Sequence, residues 1–280
     1  MNISKTISEG INILKQNEIR NPQLDVEILL SKLIKKDKKY LILNPEEVVS
    51  SEKLDIFKNL IERRKKGEPV AYLINEKAFW KNVFYVDKDV LIPRPDTELL
   101  IEKILKIYSN KSQLQILDIG TGSGCIILSL LKERKKDYGT GIDISKKSIN
   151  VSKINAKLLN LSNRTKFFHS SIDNFNIGKY DLIVSNPPYI ELLNLKYLEK
   201  DVVNFEPKLA LNGGLDGFSK IKTVISKASS LIKKKGKLIL EIGFNQKDKV
   251  KEMLKKQGFY VNHTFQDHGN NDRCIISTKI

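Results

Sequence analysis

Tyr180-Asp181-Leu182-Ile183-Val184-Ser185-Asn186-Pro187-Pro188-Tyr189 is the stretch on which the reading of this chain turns. Leu182 to Ser185 form the short apolar run of a buried strand, and two prolines then end it, since proline has no N–H to give to a ladder. An amide side chain, a carbonyl on a residue without an N–H and an aromatic ring are thereby held in a stiff relation at the strand's end. Such a group can hold something flat and polar. A planar NH2 is a poor nucleophile because its lone pair is delocalised, so an enzyme that alkylates it must hold it still. The Asn186 side-chain oxygen and the Pro187 carbonyl can accept its two N–H bonds, Pro188 stiffens the turn, and Tyr189 can stack on the flat group. Alone, the motif can also be read as a proline turn that closes a strand, so its context decides.

Upstream, Ile116-Leu117-Asp118-Ile119 reads as another short apolar strand, and Gly120-Thr121-Gly122-Ser123-Gly124 leads from it into a helix from Cys125 to Leu131. Without side chains at 120, 122 and 124 the backbone can turn tightly and let a ligand approach. Asp143, at the tip of the next strand and 19 residues past Gly124, is placed to hold ribose hydroxyls. The spacing is G-x-G-x-G rather than G-x-G-x-x-G, which weakens a nicotinamide-dinucleotide reading. A nucleoside site beside an NH2-holding turn fits methyl transfer from S-adenosylmethionine.

The alternation continues through a helix over 146–159, a strand over 165–168, a helix over 218–232, a strand over 237–242 and a helix over 246–256. Two final strands, 260–265 and 273–278, can pair as an antiparallel edge. This pattern predicts an α/β fold with a mainly parallel, doubly wound sheet. Ligands of such sheets bind beyond the carboxyl ends of the strands, so Gly120, Asp143 and Asn186 are expected in one crevice.

Residues 1–72 read instead as a small helical bundle. Ile7, Ile11 and Leu14 share one face, as do Leu24, Ile28, Leu29 and Leu33, and Leu54, Phe57 and Ile61. Pro22 and Pro45 fall where a second and a third helix are expected to begin. Arg63-Arg64-Lys65-Lys66-Gly67-Glu68-Pro69 carries the residues that stop a helix. Aromatic and β-branched residues around Lys81-Asn82 predict a hairpin. In Pro93-Arg94-Pro95-Asp96-Thr97-Glu98, Asp96 or Thr97 is a natural helix cap, whereas Arg94 has no evident structural role.

The 280 residues leave room for one large and one small domain, and 40% apolar with 29% charged residues is the composition of a soluble globular protein. No run suits a membrane span or a signal core, and Cys125 and Cys274 make no disulfide framework, so a cytoplasmic protein is expected. A net charge of +16 invites a nucleic-acid partner, yet only seven of the 49 basic residues are Arg. Runs such as Lys233-Lys234-Lys235 lack interleaved aromatics and read as solvated surface, so direct nucleic-acid binding is not expected to be primary. His169, His263 and His268 read as strand-end or loop residues.

In these residues the chain resembles the HemK/PrmC family of class I, Rossmann-like methyltransferases. The resemblance spans nearly the whole length. It rests on Arg63-Arg64-x-x-Gly67-Glu68-Pro69-Val70-Ala71-Tyr72-Leu73, on Phe79-Trp80, and on Leu91-Ile92-Pro93-Arg94-Pro95-Asp96-Thr97-Glu98. The glycine loop, Asn186-Pro187-Pro188-Tyr189, Phe205-Glu206-Pro207, Gly214-x-Asp216-Gly217, Glu241-Ile242-Gly243 and Asp267-x-Gly269 with Arg273 extend it. It implies methylation of the glutamine amide in the Gly-Gly-Gln motif of class-I peptide-chain release factors, with S-adenosylmethionine as cofactor. The alternative, an RNA or DNA amino-methyltransferase, would use the same pocket. The implied domains are a substrate-binding bundle (1–72), a hairpin linker (73–95) and a methyltransferase domain (96–280), acting as a monomer. Asp118, Gly120, Thr121, Gly122, Ser123, Gly124 and Asp143 would serve the cofactor, with Asn186 beside it and Ile172 on the adenine. The family has an acidic residue followed by an aromatic where this chain has Ser171 and Ile172, so that contact is weaker here or shifted to Asp173. Asn186, Pro187, Pro188 and Tyr189 would hold the substrate amide.

Overall fold

The computed structural model describes residues 1–280. In chain order its helices are α1 (Ile3–Gln16), α2 (Pro22–Ile34), α3 (Lys38–Leu43), α4 (Ser51–Lys65), α5 (Val70–Leu73), α6 (Glu98–Ile107), α7 (Cys125–Glu133), α8 (Lys146–Leu158), α9 (Lys200–Phe205), α10 (Ser219–Leu231) and α11 (Lys247–Lys256). Its strands are β1 (Glu76–Phe79), β2 (Asn82–Tyr85), β3 (Gln115–Ile119), β4 (Tyr138–Asp143), β5 (Thr165–His169), β6 (Tyr180–Ser185), β7 (Ile232–Glu241), β8 (Phe259–Gln266) and β9 (Asp272–Lys279). They divide into two units, Met1–Glu76 with Glu199–Phe205, and Lys77–Leu198 with Glu206–Ile280. No helix is long and apolar enough to cross a membrane.

The first unit is helical. Asn2 caps α1, its side chain accepting from Lys5 N at 2.9 Å. Pro22 stands in the first turn of α2, where its missing N–H costs nothing. Pro45 begins no helix: α4 starts at Ser51, and the stretch before it closes α1 instead. The Pro45 and Glu47 carbonyls accept from Ser4 N and Ile3 N, both at 2.9 Å, and so satisfy N–H groups that a first helical turn leaves open. The buried stripe of α2 also differs from the expected one. Val26, Leu29 and Leu30 are buried and Leu24 is 48% exposed, because steps of three and four residues from Val26 define the inward face. Gly10 lets α1 approach closely there, since a Cβ on it would stand 3.1 Å from both Phe57 and Val26.

Arg64 anchors this unit from within. Its Nε donates to Asp25 Oδ2 and its Nη1 to Asp201 Oδ2, each at 2.7 Å, and the residue is only 7% exposed. Asp201 belongs to α9, so a segment remote in sequence completes the bundle. Removing one member of a buried ion pair leaves the others uncompensated. Arg64→Met should therefore cost about 3 kcal/mol of stability, read as a lower urea midpoint at constant m-value. A cost under about 1 kcal/mol is that of an exposed pair, and would show that water screens the three charges.

In the second unit β1 and β2 form the expected hairpin, but its turn falls on Trp80-Lys81 rather than Lys81-Asn82. Trp80 takes a φ of 54°. It is held there by its backbone N–H on Glu98 Oε1 at 2.7 Å and its indole N–H on Glu133 Oε1 at 2.8 Å. Arg94 does have a structural role, because Nη2 donates to Glu206 Oε1 at 2.5 Å, and Glu206 Oε2 accepts from Ile92 N at 3.1 Å. A buried carboxylate is thereby paired, as burial demands.

The main sheet has the order β5-β4-β3-β6-β7-β9-β8. β3 runs parallel to both β4 and β6, and β5 and β7 extend the parallel pairing outward. β9 is antiparallel to β7 and to β8, so the last two strands make the expected antiparallel edge. Central strands are covered on both faces, as their unbroken apolar runs require. Ile116, Leu182 and Val184 pack with residues of α6, α7 and α8, and by the two-residue alternation Leu117 and Ile183 pack with α10 and α11. Strand order reverses between β3 and β6, whose ends lie level, Ile119 opposite Ser185. That reversal is where open parallel sheets form a ligand crevice.

Candidate active site

A cavity of about 280 Å3 opens at this reversal, lined among others by Gly120, Gly122, Asp143, Ile172, Asn186, Pro187 and Pro188. The loop after β3 is tied down by its own backbone, Gly120 N and Thr121 N both donating to Ile142 O at 2.9 Å. Gly120 and Gly122 hold φ of 73° and 55°, and a Cβ on either would meet nothing within 4 Å. The loop thus leaves open space where a ligand can lie against bare backbone. Gly124 is different, for a Cβ there would stand 2.9 Å from Leu128 and 3.3 Å from Ser152; it packs the loop onto the helices behind.

Asp143 reaches back to this loop. Its Oδ2 accepts from Gly122 N at 2.9 Å and its Oδ1 from Ser145 N at 2.8 Å. Each oxygen keeps lone pairs for a further donor. Burial pushes the Asp143 carboxyl up, and these two N–H groups oppose the shift. Beneath the loop Asp118 accepts from Thr121 Oγ1 at 2.8 Å through Oδ2, whereas its buried Oδ1 has no partner. Burial pushes this carboxyl up to about 7.

After β6 the chain is clamped into one shape. Gln246 Nε2 donates to Tyr189 O at 3.0 Å and to Gly217 O at 3.1 Å. A Cβ on Gly213 or Gly217 would come within 2.8 Å of Tyr189 C or 2.7 Å of Tyr189 O, so only glycine permits the approach. Asn186 faces the cavity and donates through Nδ2 to Thr97 Oγ1 at 3.1 Å. Thr97 Oγ1 in turn donates to Glu241 Oε2 at 2.6 Å. Thr97 holds the cap position of α6, but its side chain makes no cap bond; it is buried with its hydroxyl in this chain of bonds. Asp96 makes no cap bond either.

Tyr189 stands behind the turn and is not part of the cavity wall. Its hydroxyl donates to Glu241 Oε1 at 3.2 Å and receives Arg273 Nη1 at 3.3 Å. Arg273 is held by Asp267 Oδ2 at 3.0 Å. Asp118, Thr121, Ser123 and Gly124 also lie outside the wall. Ser123 O accepts from Asn155 Nδ2 at 2.9 Å, and the same nitrogen donates to Tyr85 O at 2.9 Å. Ser171, Ile172 and Asp173 all reach the cavity, together with Leu209 and Lys220. Nothing in the sequence singles out Asn155 or Gln246 for these contacts. The motif positions of Thr97 and Glu241 do carry a signal that could have found those two.

Burial pushes the Glu241 carboxyl from 4.5 up to about 7, against Thr97, Arg273 and Tyr189, which hold it down. Between those values the folded chain keeps a proton that the unfolded chain has released. The stability this group contributes is present below about pH 4.5 and lost as the pH rises through about 7. Glu241→Gln abolishes that loss, so its stability relative to the parent should improve between about pH 5 and about pH 8. Urea unfolding at both values checks this; parallel changes in parent and variant would assign the titration elsewhere.

The same fold is found in a solved methyltransferase structure. A methyltransferase from Pyrococcus furiosus shares the fold with a TM-score of 0.54 at 19% identity, over 79% of this chain and 98% of that one. Profiles of the PrmC N-terminal domain and of the methyltransferase small domain match residues 5–74 and 94–204. A release factor glutamine methyltransferase from Buchnera aphidicola is 41% identical over 100% of both chains. A bifunctional methyltransferase from Rickettsia bellii is 36% identical over 98% of this chain, which spans 54% of that longer relative. The chain belongs to the release factor glutamine methyltransferase family.

Proposed function

We propose that this protein uses S-adenosylmethionine to methylate the side-chain amide nitrogen of the glutamine in the Gly-Gly-Gln motif of class-I release factors. The observation that carries this reading is the Asn186 amide, facing the cavity beside the open backbone of Gly120 and Gly122. The full-length likeness to a release factor glutamine methyltransferase supports it. The residues present fit the cofactor: Gly120 and Gly122 leave it room, Asp143 offers acceptors for ribose hydroxyls, and Ile172 with Asp173 offers an apolar face and a polar edge for adenine. When bound, S-adenosylmethionine supplies an electrophilic methyl group on a sulfonium.

Asn186 Oδ1 and the Pro187 carbonyl accept the two N–H bonds of the substrate amide and turn the face of its nitrogen toward that methyl group. Pro188 keeps the two acceptors at a fixed distance, and Tyr189 backs the turn. The amide proton leaves after the nitrogen has become cationic and acidic, so the rate-limiting step needs no general base; no histidine lines the cavity. The work of the site is orientation in a water-poor place. The helical unit grips the release factor, and the reaction takes place in the cytoplasm with the enzyme as a monomer. Mass spectrometry of a release factor incubated with enzyme and cofactor tests the reading: the Gly-Gly-Gln peptide should gain one methyl group, and an unmodified peptide would overturn it.

A further inference from the structure

Asn186 can serve an amide substrate only if its oxygen, not its nitrogen, faces the cavity. The two ends of an asparagine amide have nearly the same shape and opposite hydrogen-bond polarity, so something must choose between them. Pro187 cannot, because it has no N–H. The choice is made on the far side of the side chain. Glu241 lies at the end of β7, 1% exposed, and Oε2 stands 2.6 Å from Thr97 Oγ1. Above about pH 7, where Glu241 is ionised, its carboxylate only accepts, so the single proton of the Thr97 hydroxyl goes to Glu241. Thr97 Oγ1 is left with lone pairs alone, and what meets them at 3.1 Å must be the NH2 of Asn186. The Asn186 oxygen then has one place left to point.

We infer that Thr97 and Glu241 are positioning residues for methyl transfer: through the order Glu241, Thr97, Asn186 they fix the amide of Asn186 with its acceptor toward the substrate and so select an NH2 group over a carboxylate. This inference rests on the amide-methylating reading of the site. It gives a shared purpose to two motifs far apart in the chain, Pro93-Arg94-Pro95-Asp96-Thr97-Glu98 and Glu241-Ile242-Gly243. Tyr189 and Arg273 hold the other side of the same carboxylate. The Tyr189 hydroxyl on Oε1 leaves Oε2 to Thr97, and Arg273 donates to that hydroxyl.

Thr97→Val keeps the shape of the side chain and removes the hydroxyl; Thr97→Ser keeps the hydroxyl. With a purified release factor as substrate, Thr97→Val should lower kcat about 10²-fold, the scale of loss expected from a misplaced reacting group. Thr97→Ser should stay within about threefold of the parent, and calorimetry should give both variants cofactor affinities within about twofold of it. A release factor carrying Gly-Gly-Glu should inhibit Thr97→Val relatively better than the parent, because the freed Asn186 can turn its NH2 to the carboxylate; a lost fold would not do this. Should Thr97→Val lose its cooperative unfolding transition, Thr97→Ala carries the same expectations. A full rate for the hydroxyl-free variant, an equal loss in Thr97→Ser, or unchanged Gly-Gly-Glu inhibition overturns the inference while the substrate reading stands. No transfer by the parent itself would overturn both.

Discussion

Replacing Asn186 with alanine should reduce methyl transfer to a release factor by roughly 10²- to 10³-fold, the loss typical of removing one preorganised hydrogen-bonding group from a reacting centre. The cofactor dissociation constant should move by no more than about twofold. The separation follows from where the side chain stands. Asn186 lies after β6, whereas the glycine loop follows β3 and is held by Ile142 O and Asp143. Losing the Asn186 oxygen leaves one N–H of the substrate unpaired at the moment its nitrogen gains positive charge, so the loss belongs to kcat. The variant also frees Thr97 Oγ1 of one donor, which a water can replace. Equal losses of rate and cofactor affinity would mean that Asn186 shapes the crevice instead of acting on the substrate.

Asp143→Ala should act in the opposite way, weakening S-adenosylmethionine binding by about 10²-fold, as the loss of a charge-assisted hydrogen bond or two predicts. Two effects add. The ribose hydroxyls lose their acceptor, and Gly122 N and Ser145 N lose theirs, so the loop that leaves room for the cofactor is no longer tied to β4. Asp143→Asn separates the two, because its amide oxygen can still accept one backbone N–H, and it should fall between parent and alanine. Isothermal titration with the cofactor measures both variants. An unchanged dissociation constant in Asp143→Ala would sink the ribose assignment.

The strand ends are legible in the sequence because their signals are local: an apolar run, then a residue type that cannot continue it. Leu182 to Ser185 before two prolines, and Ile116 to Ile119 before Gly120, need no knowledge of the rest of the chain. Pairing between distant segments is not legible. Thr97 and Glu241 are 144 positions apart and Arg64 and Asp201 are 137 apart, and no periodicity announces which side chains meet across such distances. Thr97 looks like a helix cap because threonine before a helix usually is one; here Glu241 takes its hydroxyl instead. Arg94 looks idle because its partner Glu206 lies on another segment. Pro45 misleads for a related reason, since proline suits both a first helical turn and an irregular stretch, and only the N–H groups of α1 decide between them.

The same distinction holds inside the glycine loop. Three glycines two apart predict a tight turn near a ligand, and two of them face open space. The third, Gly124, is small because Leu128 and Ser152 lie against it. Spacing alone cannot separate a glycine that admits a ligand from one that admits a neighbouring side chain.

The most direct measurement is transfer of labelled methyl from S-adenosylmethionine to a purified class-I release factor, run beside a Gly-Gly-Ala variant of that factor, total tRNA, ribosomal RNA and DNA. Label on the intact factor and none on the variant is the result predicted here. Label on nucleic acid alone would contradict it, keeping the methyltransferase fold and cofactor while moving the amide-holding turn of Asn186 and Pro187 to a base.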